Sequence, residues 1–483
     1  MTRTISQAIR PTLLAIAVAA AFPAAAQSNA ELLNELRALR DRVTELEKKL
    51  QAAPAPPAPA QPATAQAGQS GQLGMAPEQA RELSRVTVKA EALEDARDAS
   101  GLRLLKISGH MDPTFIFNKA QNRSGFQFLN AVGDDGYNYD NSYFGAAVID
   151  FQKETESGTR WRLTLAPNRG VGAVFDGQSP VHEASVSIPL GSLQTRFIAG
   201  QIPDWSGYEY LQPTLNKLIT HNLLFDFTLP TAYTGAGLEL TRGKWLMKGM
   251  LANMNSSKKS SGKNSVVTYR VDYSRGEFQG FGFAGVHGKA ANFNLDPVTG
   301  RRAGDSQLNL FEVDGYFIRG DWTLQGQVSV GVQKGAAIVP DPVTGALRDA
   351  RWSGISGLVA YKFTPRFEGT ARMDYVKNSK NGGGLLGYTG YWDPVNGVLG
   401  DNRNGIGVNP TLDCATDPTI AECNRGANRS ALTFGLSYLF DSNTTFKVEY
   451  RLDRANLPMF ANVKDGMYRK SNSLFGASVL VSF

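Results

Sequence analysis

Few side chains in this sequence are placed for catalysis. Of its 4 histidines (His110, His182, His221 and His287), only His110 has a carboxylate at short spacing on its own face, Asp112. No Gly-x-Ser-x-Gly element accompanies that pair, so an enzyme is not expected. The 2 cysteines, Cys414 and Cys423, have no histidine or third cysteine nearby. They read as one loop-closing disulfide rather than a metal site, and no cofactor is expected. What the sequence does carry is charge at a period of two: Arg270 and Asp272, Glu312 and Asp314, Arg372 and Asp374, then Lys447, Glu449 and Arg451. Residues two apart share one face of a strand. Arg162, Arg196, Lys248 and Lys362 join that face, as do Asp112, Asp150, Glu368 and Asp453, so the two signs nearly balance. Such a face handles ions and hydrophilic solutes in water, and some of its members are placed to pair across strands. Balance leaves anion or cation preference open, because that depends on which charges ring the narrowest point.

The elements that would hold this face are strands. The stretch ending the sequence puts Phe475, Ala477, Val479, Val481 and Phe483 on one parity, and Gly476, Ser478 and Ser482 on the other. Sixteen stretches of this kind are expected, at 103–118, 143–151, 160–166, 181–189, 193–202, 232–241, 244–254, 264–274, 278–289, 306–318, 322–334, 352–363, 366–377, 430–440, 443–453 and 469–483. Their connections alternate between tight turns and longer loops, as in a barrel spanning the bacterial outer membrane. Tyr143, Trp161, Trp245, Trp322, Trp352, Tyr361 and Tyr438 sit near strand ends, where an interfacial girdle would need them. Mean hydropathy is −0.25 and charged residues make up 19%. Alternating strands average to such values, whereas a helical membrane protein would need apolar runs of about 20 residues, absent after the first 26. The fold class is therefore all-β: a 16-stranded antiparallel transmembrane barrel over 101–483, preceded by a short coiled-coil helix.

Ahead of the barrel, residues 1–26 have the three parts of a secretory signal: Arg3 and Arg10, an apolar middle, and Ala24-Ala25-Ala26. Residues 27–51 carry a heptad seam of Leu32, Leu36, Leu39, Val43, Leu46 and Leu50, expected as a periplasmic coiled coil. Residues 52–100 form a Pro/Ala/Gly-rich linker. The formal charge of +6 loses Arg3 and Arg10 with the signal, too small an excess for nucleic acid. Asp-Pro-Val-(Thr/Asn)-Gly recurs at 296–300, 341–345 and 393–397, which is turn chemistry.

The third long connection, 203–230, has a helix expected to start at Pro213, with Thr214, Lys217 and His221 on one stripe. Those side chains either face a pore or form an exposed face of an outer loop. Gly200-Gln201-Ile202-Pro203 followed by Glu209-Tyr210-Leu211 resembles the corresponding stretch of the phosphate-selective porin (O/P) family, as does the layout of coiled coil and barrel. The dense basic run of a phosphate pathway is not present. The resemblance implies a pore-constricting loop carrying Glu209, Thr214, Lys217 and His221. It also implies a homotrimer, and a terminal Phe483 read by the barrel assembly machinery. The expected protein is an outer-membrane porin passing small solutes or ions. The alternative is a structural or adhesive barrel without an open pore.

Overall fold

The computed structural model describes residues 81–82, 84–92, 104–120, 122–127, 145–166, 180–255, 264–291, 304–386, 392–393, 398–399, 407–414, 417 and 419–483. The signal segment, the heptads and most of the linker lie outside these residues. The chain divides into two units, 1–89 and 90–483. Within the span expected to be linker, 81–82 and 84–92 are helical, across that boundary.

The second unit is a closed antiparallel barrel of 16 strands. In chain order they are β1 (Leu105–Met111 and Thr114–Asn118), β2 (Arg123–Gln127 and Ala147–Glu154), β3 (Arg160–Leu165), β4 (Val181–Ser192), β5 (Thr195–Pro203), β6 (Ala232–Arg242), β7 (Trp245–Asn255) and β8 (Val266–Ser274). Then come β9 (Gln279–Ala290), β10 (Ser306–Arg319), β11 (Trp322–Gln333), β12 (Ala350–Thr364), β13 (Phe367–Lys377), β14 (Arg429–Leu439), β15 (Thr444–Ala455) and β16 (Ser471–Ser482). Each pairs with its neighbours, and β1 closes on β16 with Thr114 opposite Ser478 and Asn118 opposite Leu474. β1 is interrupted at Asp112 and Pro113, and between the two segments of β2 residues 128–144 lie outside the described residues. Pro113 has no N–H for the ladder, and the side chain of Asp112 beside it accepts from the Ala146 amide at 2.6 Å.

Alternation then separates two environments. Ile107, Leu251, Phe281, Phe311, Met373, Phe434 and Tyr450 are exposed on the outer parity, while Arg372, Asp374, Arg429, Glu449 and Arg451 are buried on the inner one. A continuous apolar exterior with every strand edge paired is the condition for lying in hydrocarbon. Aromatics gather at the tight-turn end, where Trp245, Tyr273 and Phe281 touch, as do Trp322, Tyr361 and Phe363. Trp352, expected in that girdle, points inward instead and is 4% exposed. Its parity matches the buried core rather than the lipid face, and Gly331 directly opposite leaves room for its indole.

At the long-loop end, a disulfide joins Cys414 and Cys423, both buried against Val339 and Val408. The 341–345 segment is a turn whose Asp341 side chain accepts from the amides of Val343 and Thr344. Positions 296–300 and 394–397 lie outside the described residues.

The main chains of Gly109 and Phe483 exchange two hydrogen bonds of 3.0 Å, and the Phe483 ring lies over Gly109. A Cβ at Gly109 would stand 2.5 Å from both the ring and the Val148 carbonyl oxygen. Gly109→Val is therefore expected to lower the folded fraction on unboiled detergent gels to the extent that deleting Phe483 does. Full folding of Gly109→Val would show that this seam does not limit closure.

Candidate functional site at the inward loop

The connection between β5 and β6, residues 204–231, does not rise out of the barrel. It crosses the interior and is held along the opposite wall. The helix expected at Pro213 is absent: 211–215 are bends and turns, closed by Asn216, whose Oδ1 accepts from the Tyr210 amide at 2.9 Å. The helix lies further on as α1 (Leu223–Thr228), where Asn222 is the N-cap and accepts from the Phe225 amide at 2.8 Å. An Asn cap stabilises a helix start by about 1 kcal/mol, and here it outweighs the fixed φ that Pro213 offers.

A loop inside a barrel must satisfy its backbone there, and wall charges do so. Glu449 on β15 accepts from the Ile219 and Thr220 amides at 2.6 and 3.0 Å. Glu312 on β10 accepts from the Gly207 amide at 3.1 Å. The cations take the carbonyls. Arg372 on β13 donates to Thr220 O at 2.7 Å and His221 O at 2.9 Å. Arg451 reaches His221 O at 3.2 Å, and Lys447 reaches Pro213 O and Asn216 O at 2.8 and 2.7 Å. Arg372 also pairs with Glu209 of the loop at 2.8 Å and with Asp374 at 3.1 Å. The other Glu209 oxygen accepts from the Asn222 amide. Burial pushes the Glu209 carboxyl above its ordinary value, against the pull of Arg372.

Apolar contacts complete the seat. Leu218 packs on Gly435, Leu224 on Gly354 and Ile219 on Gly476, three positions where any side chain would collide with the loop or crowd it. Beyond them α1 buries Leu223, Leu224 and Phe227 among Met250, Met254, Val286, Leu308, Leu310, Trp352 and Val376. The long-loop half of the interior under β7–β13 thus holds an apolar core.

The model of a family described as "Protein of unknown function (DUF3138)" matches residues 2–483. The chain belongs to the DUF3138 family. No curated protein matches it. Solved structures similar to this DUF3138 chain include an anion-selective porin from Comamonas acidovorans, at 9% identity and TM-score 0.47, covering 78% of this chain and 99% of that one. Another is the outer membrane channel DcaP of Acinetobacter baumannii, at 10% identity and TM-score 0.48, with 78% and 97% covered. A third is Salmonella typhi OmpF, at 14% and 0.46, again with 78% and 97% covered. At these identities and scores no residue role carries over.

The expected site residues of the DUF3138 chain divide into three groups. Glu209, Arg372, Asp374, Glu449, Arg451 and Lys447 are buried in the clamp. Arg270 is equally enclosed, held by Asp272, Glu312 and Asp314, and Arg196 donates to Gly158 O and Ser187. Among the expected cations Arg162 (side chain 35% exposed), Lys248 (28%), Lys217 (31%) and the exposed Lys362 keep access to water. Three of them are paired: Arg162 with Asp150 and Glu183, Lys248 with Glu239, Lys217 with Glu368. His221 is 3% exposed, its Nε2 2.8 Å from Tyr210 O and its ring stacked on Phe225, so it faces the loop's own interior. The loop's open face is Tyr210, Thr214, Leu215 and Lys217. Among the described residues no cluster of three or more His, Cys, Asp or Glu is arranged to hold a metal. The inward apolar residues were the signal left unread: Leu308, Leu310, Trp352 and Val376 make both strand faces apolar, the mark of burial on two sides.

Removing Arg372 (Arg372→Met) strands Glu209 and Asp374 and should cost about 3–5 kcal/mol. Gly435→Leu should evict Leu218 while the barrel stays folded, seen as new protease cleavage within 208–221. An uncut loop would contradict the seat. Burial holds the His221 pKa at about 3, below its ordinary 6.5. Unfolded chain binds that proton below 6.5 and folded chain refuses it until about 3, so this contribution to stability falls as pH drops through that window. His221→Gln lacks it. The stability difference between wild type and variant should therefore move against wild type on acidification, measured by denaturant unfolding at several pH values.

Proposed function

We propose that this chain is an outer-membrane porin: a water-filled channel for passive diffusion of small hydrophilic solutes or ions, narrowed by the inward loop. The observation that carries the reading is the division of charge. Much of the charge on the wall from β10 to β15 is spent on the loop, whereas Arg162 on β3, Glu239 on β6 and Lys248 on β7 keep partial access to water, as do Tyr210, Thr214 and Lys217 on the loop. Charges kept wet inside a barrel support a path for water, because fully desolvated ones are costly without tight pairing. That path is eccentric, lying away from the core around α1. In this reading residues 1–26 direct export, and 27–51 form a periplasmic coiled coil that gathers three barrels. Residues 52–100 are the spacer, and Phe483 serves the assembly machinery. The likeness to phosphate-selective porins remains with Gly200–Pro203 and Glu209–Leu211. Arg162, Lys217 and Lys248 each have an acidic partner, which favours weak selectivity over a strong anion preference.

The second reading, a structural barrel without an open pore, draws on the apolar core that fills the interior under β7–β13. Planar-bilayer recording separates the two: single-channel steps are expected, and their absence from folded protein would sink the channel. In a salt gradient the reversal potential should be small. Arg162→Gln leaves Asp150 and Glu183 facing the path and should shift it towards cations, as Lys217→Ala should by freeing Glu368. Unchanged values for both would move the narrowest point elsewhere. Unboiled gels and light scattering test the trimer.

A further inference from the structure

In the tight-turn half of β9 the inward positions are Gly280 and Gly282. Tyr316, directly opposite Gly280 on β10, lays its ring over the bare backbone there: a Cβ on Gly280 would stand 2.9 Å from that ring. Tyr316 shares the parity of Glu312 and Asp314, so the ring faces the barrel interior. Tyr210 of the inward loop comes to the same region, within electrostatic reach of Arg270, Asp272, Asp314 and Tyr316. Its main chain is fixed from behind, the amide and carbonyl by Asn216 and the carbonyl also by His221. Its side chain nevertheless stays 50% exposed. Two aromatic rings thus border the interior where the loop passes β8–β10.

A row of ion pairs runs beside them. Glu239, Lys248 and Arg270 are directly opposite one another on β6, β7 and β8, and Asp272 is the next inward position along β8. Lys248 holds Glu239 at 3.5 Å, and Arg270 holds Asp272 at 2.7 Å. The side chains of Glu239, Lys248 and Asp272 remain 23%, 28% and 32% exposed, so all three can exchange water for another hydroxyl.

We propose that this part of the interior binds a neutral pyranose sugar, its C–H face on Tyr210 and Tyr316 and its hydroxyls on Glu239, Lys248 and Asp272. A sugar ring presents an apolar C–H face and an edge of adjacent hydroxyls that each donate and accept. Aromatic faces suit the first. Carboxylates that accept beside an ammonium that donates suit the second, through charge-assisted hydrogen bonds. A charged solute gains less, because Glu239 and Asp272 already hold cations and Lys248 already holds a carboxylate. A purely apolar solute would strip water from these charges without replacing it. The inference rests on the channel reading above and names a solute for it.

The test records the full chain in planar bilayers while maltose is titrated, with mannitol, an open-chain polyol without a ring face, as the control. Maltose should lower the conductance saturably, and mannitol only in proportion to the conductivity of the bulk solution. Tyr210→Ala withdraws one apolar face and should raise the half-blocking maltose concentration at least about fivefold. Tyr210→Phe keeps the ring and should be blocked as wild type is. Glu239→Met with Lys248→Met removes acceptor and donor together and should also raise the half-blocking concentration. Lys106→Gln, at the inward rim of β1, should not. A conducting channel that maltose does not block, equal block by mannitol, or no change in Tyr210→Ala or in the double variant overturns the site. So does a rise in Tyr210→Phe or Lys106→Gln as large as that in Tyr210→Ala. Should Tyr210→Ala not fold, Tyr316→Leu takes its place under the same criterion. Failure of the channel reading would be distinct: single-channel steps would be missing before any sugar is added.

Discussion

A peptide segment carried into the middle of a barrel takes its N–H and C=O groups away from bulk water, and each left unpaired costs about as much as a lost hydrogen bond or more. That constraint governs this interior. Between Pro213 and Asn222 the loop offers few backbone bonds of its own, so the wall supplies them: carboxylates from Glu312 and Glu449 for amides, cations from Arg372, Lys447 and Arg451 for carbonyls. Hydrogen bonds to charged groups contribute about 1.5–3 kcal/mol each. Near-balance of charge on the inner face is then a requirement of holding a peptide, which presents donors and acceptors in equal number.

The same arrangement explains why the buried charges are paired with each other as well. Arg372 lies between Glu209 and Asp374, and Asp453 between Arg429 and Arg451, all nearly without solvent access. An isolated ion there would be prohibitive, and truncating one partner exposes the other to that cost. The loop and the wall are consequently one cooperative structure, and α1 locks it from above by burying Leu223, Leu224 and Phe227.

Much of the barrel was legible in the sequence because it follows from local rules. Alternation at a period of two assigned the strands, and the tight turns fixed their pairing. In the structure 16 strands recur, most with ends displaced by a few residues, while β2 also takes in Arg123–Gln127, well ahead of the expected 143–151. What was not legible depended on contacts distant in sequence. Arg372 and Glu209 are 163 residues apart, and nothing local distinguishes an arginine that clamps a carbonyl from one that faces water. Pro213 looked like a helix start because its own geometry favours one, but the position of α1 depends on the Asn222 cap and on the apolar pocket that receives Leu224. Trp352 was misplaced for the opposite reason: its type suits a membrane interface, but its parity points inward.

Glycines on the inner wall carry the last piece of the logic. Gly354, Gly435 and Gly476 stand where Leu224, Leu218 and Ile219 arrive, on strands β12, β14 and β16. In a sheet interior glycine ordinarily weakens the strand, so three of them on one side of one barrel are unfavourable unless something fills the space. The loop fills it, and the charged clamp holds it there. Backbone satisfaction alone would leave the loop free to slide along a polar wall. Steric seats at fixed strands give it one register, and that register decides which of the interior charges remain facing water.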